Sequence, residues 1–373
     1  MTDLDAVVLA VLGYSRRRLL GALVRHWLAR PIPDTDELPP PRPDEAFVAW
    51  AARCACGAAA DAALARAREV AWRALDAGRT TGQEPLSLAD GNYPAALKAI
   101  PDPPPVLWVR GQPSALAATR LVAVVGARAA TRPGLEVAAA LASGLATAGV
   151  VVVSGLARGI DTAAHRAALE AGGTGVAVLG SGLDRPYPAE HAPLADALTG
   201  RGALVSECLP GTPPLAHHFP LRNRIISGLA AATVVVEASE KSGSLITAAT
   251  ALDQGREVMA VPGPVGPGRH RGAHALLRDG ATLVERAEDV LIALGWAAPT
   301  APSGSLPAAL DPAVAAELGL DPGTEDFGPD QVAAATGWPL AQVGARLGVL
   351  EISGRISRLP GGRYMGSRNR VLT

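Results

Sequence analysis

The stretch Val150–Arg166 reads VVVVSGLARGIDTAAHR, and it decides the fold. Four consecutive β-branched valines make a short buried strand. Ser154 and Gly155 end it, Arg158 and Gly159 turn the chain, and from Ile160 to Leu169 apolar residues recur at helical spacing. A strand that breaks through Ser-Gly into a glycine-containing turn and then a helix leaves unpaired amides facing outward at a helix N-terminus, a natural seat for phosphate. Arg158 points the same way, and Asp161 is placed to cap the helix by accepting the amide of Ala164. The plain structural alternative is that any tight strand–helix turn uses glycine.

Working outward, the alternation repeats from Leu121 to Gly295. LVAVVG, VVVV, GVAVLG, ALVSE, TVVVEAS, EVMAVPG and TLVE are short apolar runs separated by segments of helical spacing. Seven such strands predict a parallel sheet covered by helices on both faces, a doubly wound, Rossmann-like α/β domain. Upstream, Leu4–Leu12, Arg16–Ala29 and Asp44–Ala77 carry helical patterns around a proline-rich run, Pro31–Pro43. Prolines 101 and 103–105 force an extended segment ahead of a strand at Val106–Arg110, so the predicted boundary lies near residue 85. Ala298–Pro307 reads as linker. Helical patterns at Asp330–Gly337 and Leu340–Leu350 and a hairpin pattern over Gly354–Tyr364 then predict a winged-helix-like domain. The expected layout is a helical domain over 1–84, the Rossmann-like domain over 85–297, a linker over 298–322 and the winged-helix-like domain over 323–373. A winged helix reads DNA or grips proteins; here Leu340–Leu350 carries only Arg346 as a base.

The chain has 373 residues and a formal net charge of −1, so a polyanion site must be a local patch. Three cysteines, Cys54, Cys56 and Cys208, argue against a disulfide scaffold or a zinc site and read as buried free thiols. The N-terminus lacks a basic signal-peptide region and no apolar run reaches membrane-spanning length, so a soluble cytoplasmic protein is expected.

In open α/β sheets ligands sit at the carboxyl ends of the strands. Gly126–Arg132 follows the first strand and is not GxGxxG, which removes most support for a dinucleotide. It offers a glycine for close approach, the hydroxyl of Thr131 and two guanidinium groups that suit phosphate oxygens. The Ser154–Arg158 turn, Gly180–Pro188 and His217–Ser227 are the other loops. The last holds Arg222, Arg224 and two histidines without an acid, and Ser242–Ser244 with Thr247 adds donors. Phe219 is placed to stack on a base, the alternative being that it anchors the loop to the core. The Arg16–Arg18 cluster reads as a nucleic-acid contact or a solvated helix end. Ser154, Asp161 and His165 suggest a hydrolytic triad, but Asp161 and His165 are spaced to pair as an ordinary surface contact and no G-x-S-x-G elbow exists. Glu207 and Glu237 are candidate bases, or neutralise arginines across the cleft. His217-His218 lacks the carboxylates a metal site would add.

Taken together, SGLARGIDTAAHRAAL, AVLGSGLDRPYPAEH, LVSECLPGTPPLAHHFPLRNRIISGL, VVVEASEKSGSLITA and GREVMAVPG closely resemble the DNA-processing protein A (DprA, also called Smf) family, as does the Tyr93–Gly111 run. The resemblance implies a protein that binds and protects single-stranded DNA and loads the recombinase RecA onto it in natural transformation. It implies a homodimer formed through the Rossmann-like domain, with no turnover, cofactor or metal. Phosphate-contacting roles carry over to Gly126, Arg128, Thr131, Ser154, Gly155, Arg158 and Asn223, and the stacking role to Phe219. Arg222 and Arg224 join them as candidate contacts. A basic residue shortly before the aromatic is here only His217 or His218, mostly neutral at pH 7. Pro264–Arg271 departs from the family's Asn-rich loop but keeps Arg269 and Arg271. The alternatives are a nucleotide-processing enzyme of the phosphoribohydrolase type, whose PGGxGT loop is replaced here by SGSLIT, and a structural adaptor using its C-terminal domain.

Overall fold

Nine strands form one sheet in the order β1-β2-β6-β5-β4-β3-β7-β8-β9. The computed structural model describes residues 2–13, 20, 22–24, 28, 46–266, 268–296, 310–321, 324, 326–353, 355–358 and 362–366. The Arg16–Arg18 cluster, the Pro31–Pro43 run, most of the Arg16–Ala29 helix and the 298–309 part of the linker lie outside the described residues. Helices α1 (Asp3–Gly13), α2 (Phe47–Cys56) and α3 (Ala60–Thr81) lead into β1 (Glu84–Ser87), the single turn α4 (Ala95–Lys98) and β2 (Val106–Gly111). The wound part runs β3 (Leu121–Val125), α5 (Arg132–Thr147), β4 (Val151–Ser154), α6 (Ile160–Glu170), β5 (Gly175–Leu179), α7 (Ala192–Arg201) and β6 (Ala203–Ser206). It continues with α8 (His218–Leu229), β7 (Ala232–Val235), α9 (Ser244–Asp253), β8 (Glu257–Ala260), α10 (Arg271–Arg278), β9 (Thr282–Leu283) and α11 (Ala287–Ala293).

The seven predicted strands are β3 to β9, and they pair with one another in parallel. Every residue of β3 to β7 is buried, which is why they read as unbroken apolar runs rather than alternating ones. β1 and β2 add antiparallel strands beyond β6. Winding proceeds outward from β3 through β6, then returns to β7 on the other flank of β3. The switch point therefore lies between the carboxyl ends of β3 and β7, where open α/β sheets take ligands.

The chain divides into two compact units, Met1–Trp296 and Ala297–Thr373. The helical segment shares its core with the sheet instead of separating near residue 85. Ala6 and Val7 of α1 and Ala67, Ala71 and Ala74 of α3 join Val106, Trp108 and Leu204 in one apolar cluster. Small residues on α3 allow this approach: a Cβ at Gly78 would lie 2.6 Å from Trp108 Cζ3. Contrary to the expectation from sequence, Phe47–Thr81 is long and apolar enough to span a membrane by length and composition alone. It is broken at Gly57, where φ is +54°, and α3 lays Ala67, Ala71, Ala74 and Gly78 against the protein. Cys208 is buried as expected, whereas Cys54 and Cys56 are half-buried; none forms a disulfide.

The second unit holds α12 (Pro312–Leu318), α13 (Pro329–Thr336), α14 (Leu340–Ile352) and an antiparallel pair, β10 (Ile356–Arg358) and β11 (Tyr364–Gly366). Leu310, Val314, Leu318, Phe327, Val332, Val343 and Leu347 are its core. The expected 298–322 linker is thus partly helical. Asp311 Oδ1 accepts the amides of Ala313 and Val314 at 2.8 and 3.3 Å, and Pro312 occupies the first turn. Arg346, Arg355 and Arg363 pair with Glu317, Asp311 and Asp326 of the same unit.

Candidate nucleic-acid interface

The turn after β4 is not a vacant anion seat. Ser154 is buried and its Oγ donates to the Val124 carbonyl at 2.7 Å. The amides of Gly155 and Ala157, expected to face outward, donate to Asp161 Oδ2 at 3.1 and 3.3 Å. Asp161 folds back onto the turn instead of capping α6 through Ala164, so a carboxylate of the protein fills the place proposed for phosphate. Burial pushes the Asp161 carboxyl up, against the nearby Arg222 and these amides, which pull it down. Gly159, at φ +78°, lets the turn touch the loop after β3; a Cβ there would sit 2.2 Å from the Ala127 carbonyl oxygen. Ser154 and Gly155 are therefore structural, and Arg158 faces solvent in a 2.6 Å pair with Glu190.

The 217–227 stretch divides in a similar way. α8 packs Ile225, Ile226 and Leu229 on the sheet and carries three of the expected contacts inside with them. Arg222 Nη1 donates to the Gly155 carbonyl at 2.9 Å and to that of Val178, and burial brings its pKa down to about 10. Arg224 reaches Asp102 at 2.8 Å and Glu207 at 2.7 Å; these carboxylates outweigh its burial and raise its pKa. His218 is buried with Nδ1 3.1 Å from the Gly180 carbonyl oxygen. His218 and Arg224 do not line the cleft described below, their polar atoms being spent on a buried carbonyl and on carboxylates, and Arg222 enters its wall as a buried side chain bonded to two carbonyls. The triad reading fails too: Asp161 and His165 are buried, not a surface pair, and neither ring nitrogen of His165 has a hydrogen-bond partner.

What remains on the outside converges on the switch point. A cleft of about 760 Å³ is lined by Gly126 and Arg128 after β3, Tyr187, Phe219 and Asn223, Glu237 after β7, Ser242–Ser244 and Thr247 at the start of α9, and Arg269. Arg128 is exposed, with its guanidinium 5.5 Å from the centroid of the Phe219 ring. Tyr187 lies 5.6 Å from Phe219, tilted by 58°. Asn223 is half-buried, with Nδ2 3.5 Å from the Gly243 carbonyl. His217 is exposed at the first turn of α8. Thr131 caps α5: its Oγ1 accepts the Gly134 amide at 3.2 Å and donates to Glu237 Oε2 at 2.7 Å, so its hydroxyl is already engaged. Arg269 Nη1 donates to the Ala129 carbonyl at 2.9 Å and sits 3.9 Å from Glu237. The first amides of α9 are engaged within the turn itself: those of Ser244, Leu245 and Ile246 donate to Ser242 Oγ and to the Ser242 and Gly243 carbonyls at 3.4, 3.1 and 3.2 Å.

Of the expected contacts, Gly126, Arg128, Phe219, Arg222 and Asn223 meet in the cleft, Arg222 as a buried part of its wall. Tyr187 joins them without having been singled out as a contact. Its signal was compositional, since Tyr187 and Phe219 are the two aromatics between Leu121 and Gly295. Two exposed guanidinium groups and an aromatic pair give this surface the chemistry that suits phosphates and an unstacked base.

A family profile described as DNA recombination-mediator protein A matches residues 84–295, and one described as the DprA winged helix domain matches 297–362. Protein Smf of Escherichia coli (strain K12) is 46% identical over 278 residues, which is 72% of this chain and 74% of that protein. The structure of DNA processing protein A from Streptococcus pneumoniae aligns with a TM-score of 0.65 at 35% identity, covering 78% of this chain and 97% of that one. DNA processing protein A from Helicobacter pylori, a structure described for its single-stranded DNA binding mode, aligns with a TM-score of 0.52 at 27% identity, covering 57% of this chain and 95% of that one.

Proposed function

The chain belongs to the DNA recombination-mediator protein A family, and from that premise we propose that it binds single-stranded DNA in the switch-point cleft, protects the strand and loads the RecA recombinase onto it during natural transformation or recombination. It acts in the cytoplasm as a homodimer and makes or breaks no bond. The observation that carries the DNA-binding part is the convergence of Arg128, Phe219, Asn223 and Arg269 at the rim between β3 and β7. The single-stranded DNA binding of the Helicobacter pylori protein supports it. RecA loading and dimerisation rest on kinship with the family. The nucleotide-processing alternative loses its base, because Glu237 is 1% exposed and accepts both the amide and the hydroxyl of Thr131.

Fluorescence anisotropy with labelled oligothymidine, a duplex of equal length and mononucleotides tests the reading. The single strand binds best. Phe219→Ala weakens it by about 1–3 kcal/mol, the value of one base–aromatic stack. With Arg128 and Arg269 as the exposed cations of the cleft, the logarithm of affinity falls with the logarithm of salt at a slope of roughly −1.4 per protomer. Equal affinity for duplex, or an unchanged affinity for Phe219→Ala, refutes the proposal.

A further inference from the structure

The Phe219 ring, on which a base would stack, is already in contact on several sides. Gly180 lies against it, since a Cβ there would come within 3.3 Å of Phe219 Cδ1. Tyr187 stands beside it at 5.6 Å. Arg128 places its guanidinium over the ring, 5.5 Å from the centroid. Gly180 is backbone and cannot withdraw, whereas Arg128 is an exposed side chain on a loop and can. Among the described residues Arg128 has no carboxylate partner. It lies close enough to buried Arg222 to depress that residue's pKa, so it is a cation held beside another cation.

We infer that Arg128 is a removable cover on Phe219, which makes base stacking conditional on a phosphate backbone. The inference rests on the cleft being the single-strand site. A nucleobase reaches the ring only when the guanidinium leaves, which forfeits a cation–π contact worth about 2- to 5-fold in an equilibrium constant at an exposed site. A strand carrying phosphodiesters returns that loss, because the released guanidinium takes a phosphate oxygen in a charge-assisted hydrogen bond. A neutral base or nucleoside offers nothing in return. The residue therefore discriminates against free aromatic bases while adding to the affinity for a polyanionic strand. The preference is a property of one side chain serving two partners in turn.

The test compares the full chain with Arg128→Ala on two ligands: oligothymidine with its natural phosphodiesters, and the same length with neutral methylphosphonate links. For the phosphodiester strand the variant binds at least 5-fold more weakly. For the neutral strand it binds about 2- to 5-fold more tightly, because the cover is gone. An unchanged or weakened affinity for the neutral strand overturns the inference, since Arg128 then lies with the base or contacts phosphate only. A second measurement reads the native protein directly. In the free state the Arg128 δ-methylene proton resonances, assigned by their loss in Arg128→Ala, are shifted upfield by the Phe219 ring. Saturation with the phosphodiester strand moves them back to the ordinary arginine position, and persistence of the upfield shift at saturation refutes the cover. Absence of any single-strand binding by the native chain would instead sink the parent reading.

Discussion

His165 offers a quantitative test of how the cleft is supported. The imidazole is fully buried on α6, four residues after Asp161, and both its nitrogens lack partners. Burial, with Arg222 and His191 nearby, lowers its pKa to about 3. The unfolded chain takes a proton below about pH 6.5 while the folded one refuses it until about pH 3, so the unfolded state binds more protons across that window. Stability is complete above pH 6.5 and falls by roughly 1.4 kcal/mol for each unit of acidification, or about 2.5 kcal/mol by pH 4.5. Asp161 works in the opposite sense: its carboxyl is raised in the folded protein, so it contributes stability as pH falls through its own window. A difference measurement separates the two. His165→Leu removes the titration and two unpaired nitrogens at similar volume, and its stability at pH 7.5 should lie within about 1.5 kcal/mol of native. Urea titrations followed by far-ultraviolet circular dichroism from pH 7.5 to 4.5 should show the gap moving by about 2.5 kcal/mol in favour of leucine. Parallel curves for the two proteins would mean that His165 is not the acid-sensitive group and that its burial has been misjudged.

Other consequences separate the inner arginines from the outer one. Arg224→Ala removes the ion pairs to half-exposed Asp102 and to largely buried Glu207 and should destabilise the protein by about 1–3 kcal/mol in urea. Arg128→Ala should change the unfolding free energy by no more than about 1 kcal/mol, the value of an exposed cation–π contact, while weakening binding to single strands of any sequence. Gly155→Ala places a Cβ 2.5 Å from Arg222 Nη2 and should cost about 1–3 kcal/mol by overpacking, read as a lower thermal midpoint. Removal of Ala297–Thr373 should leave oligothymidine affinity within about 2-fold in the anisotropy assay, because three of that unit's six arginines, Arg346, Arg355 and Arg363, are each matched by an acid. A larger loss would give the second unit a direct part in DNA binding.

The parallel sheet was legible because fully buried strands leave unbroken valine-rich runs, and the turns between them carry Gly, Ser and Asp. β1 was not, since Glu84-Pro85-Leu86-Ser87 shows neither a run nor an alternation and becomes a strand only by pairing with β2. The start of α12 carried a readable sign, Asp311 followed by Pro312, hidden inside a stretch read as linker. Within the site, Arg128 and Phe219 could be picked out from residue type and position in the winding. The Gly155–Ala157 amides could not be assigned correctly, because spacing allows Asp161 to reach either the helix ahead or the turn behind. Arg222 and Arg224 sat in a basic stretch without an acid, yet their partners come from elsewhere: Asp102 is 122 residues from Arg224, and Gly155 is 67 from Arg222. Local charge says which residues are cations, and only the fold says which are already neutralised.

The switch point between β3 and β7 also bears on the order of events during synthesis. Gly126 and Arg128 emerge early, Phe219 and Asn223 much later, and Arg269 after β8. β7 must insert beside a strand made more than a hundred residues before it, a long-range closure that local helices cannot anticipate. A nascent chain on the ribosome therefore carries the arginines and both aromatic rings of the cleft before the cleft exists. The cleft is complete only after the segments that follow β7 have taken their places.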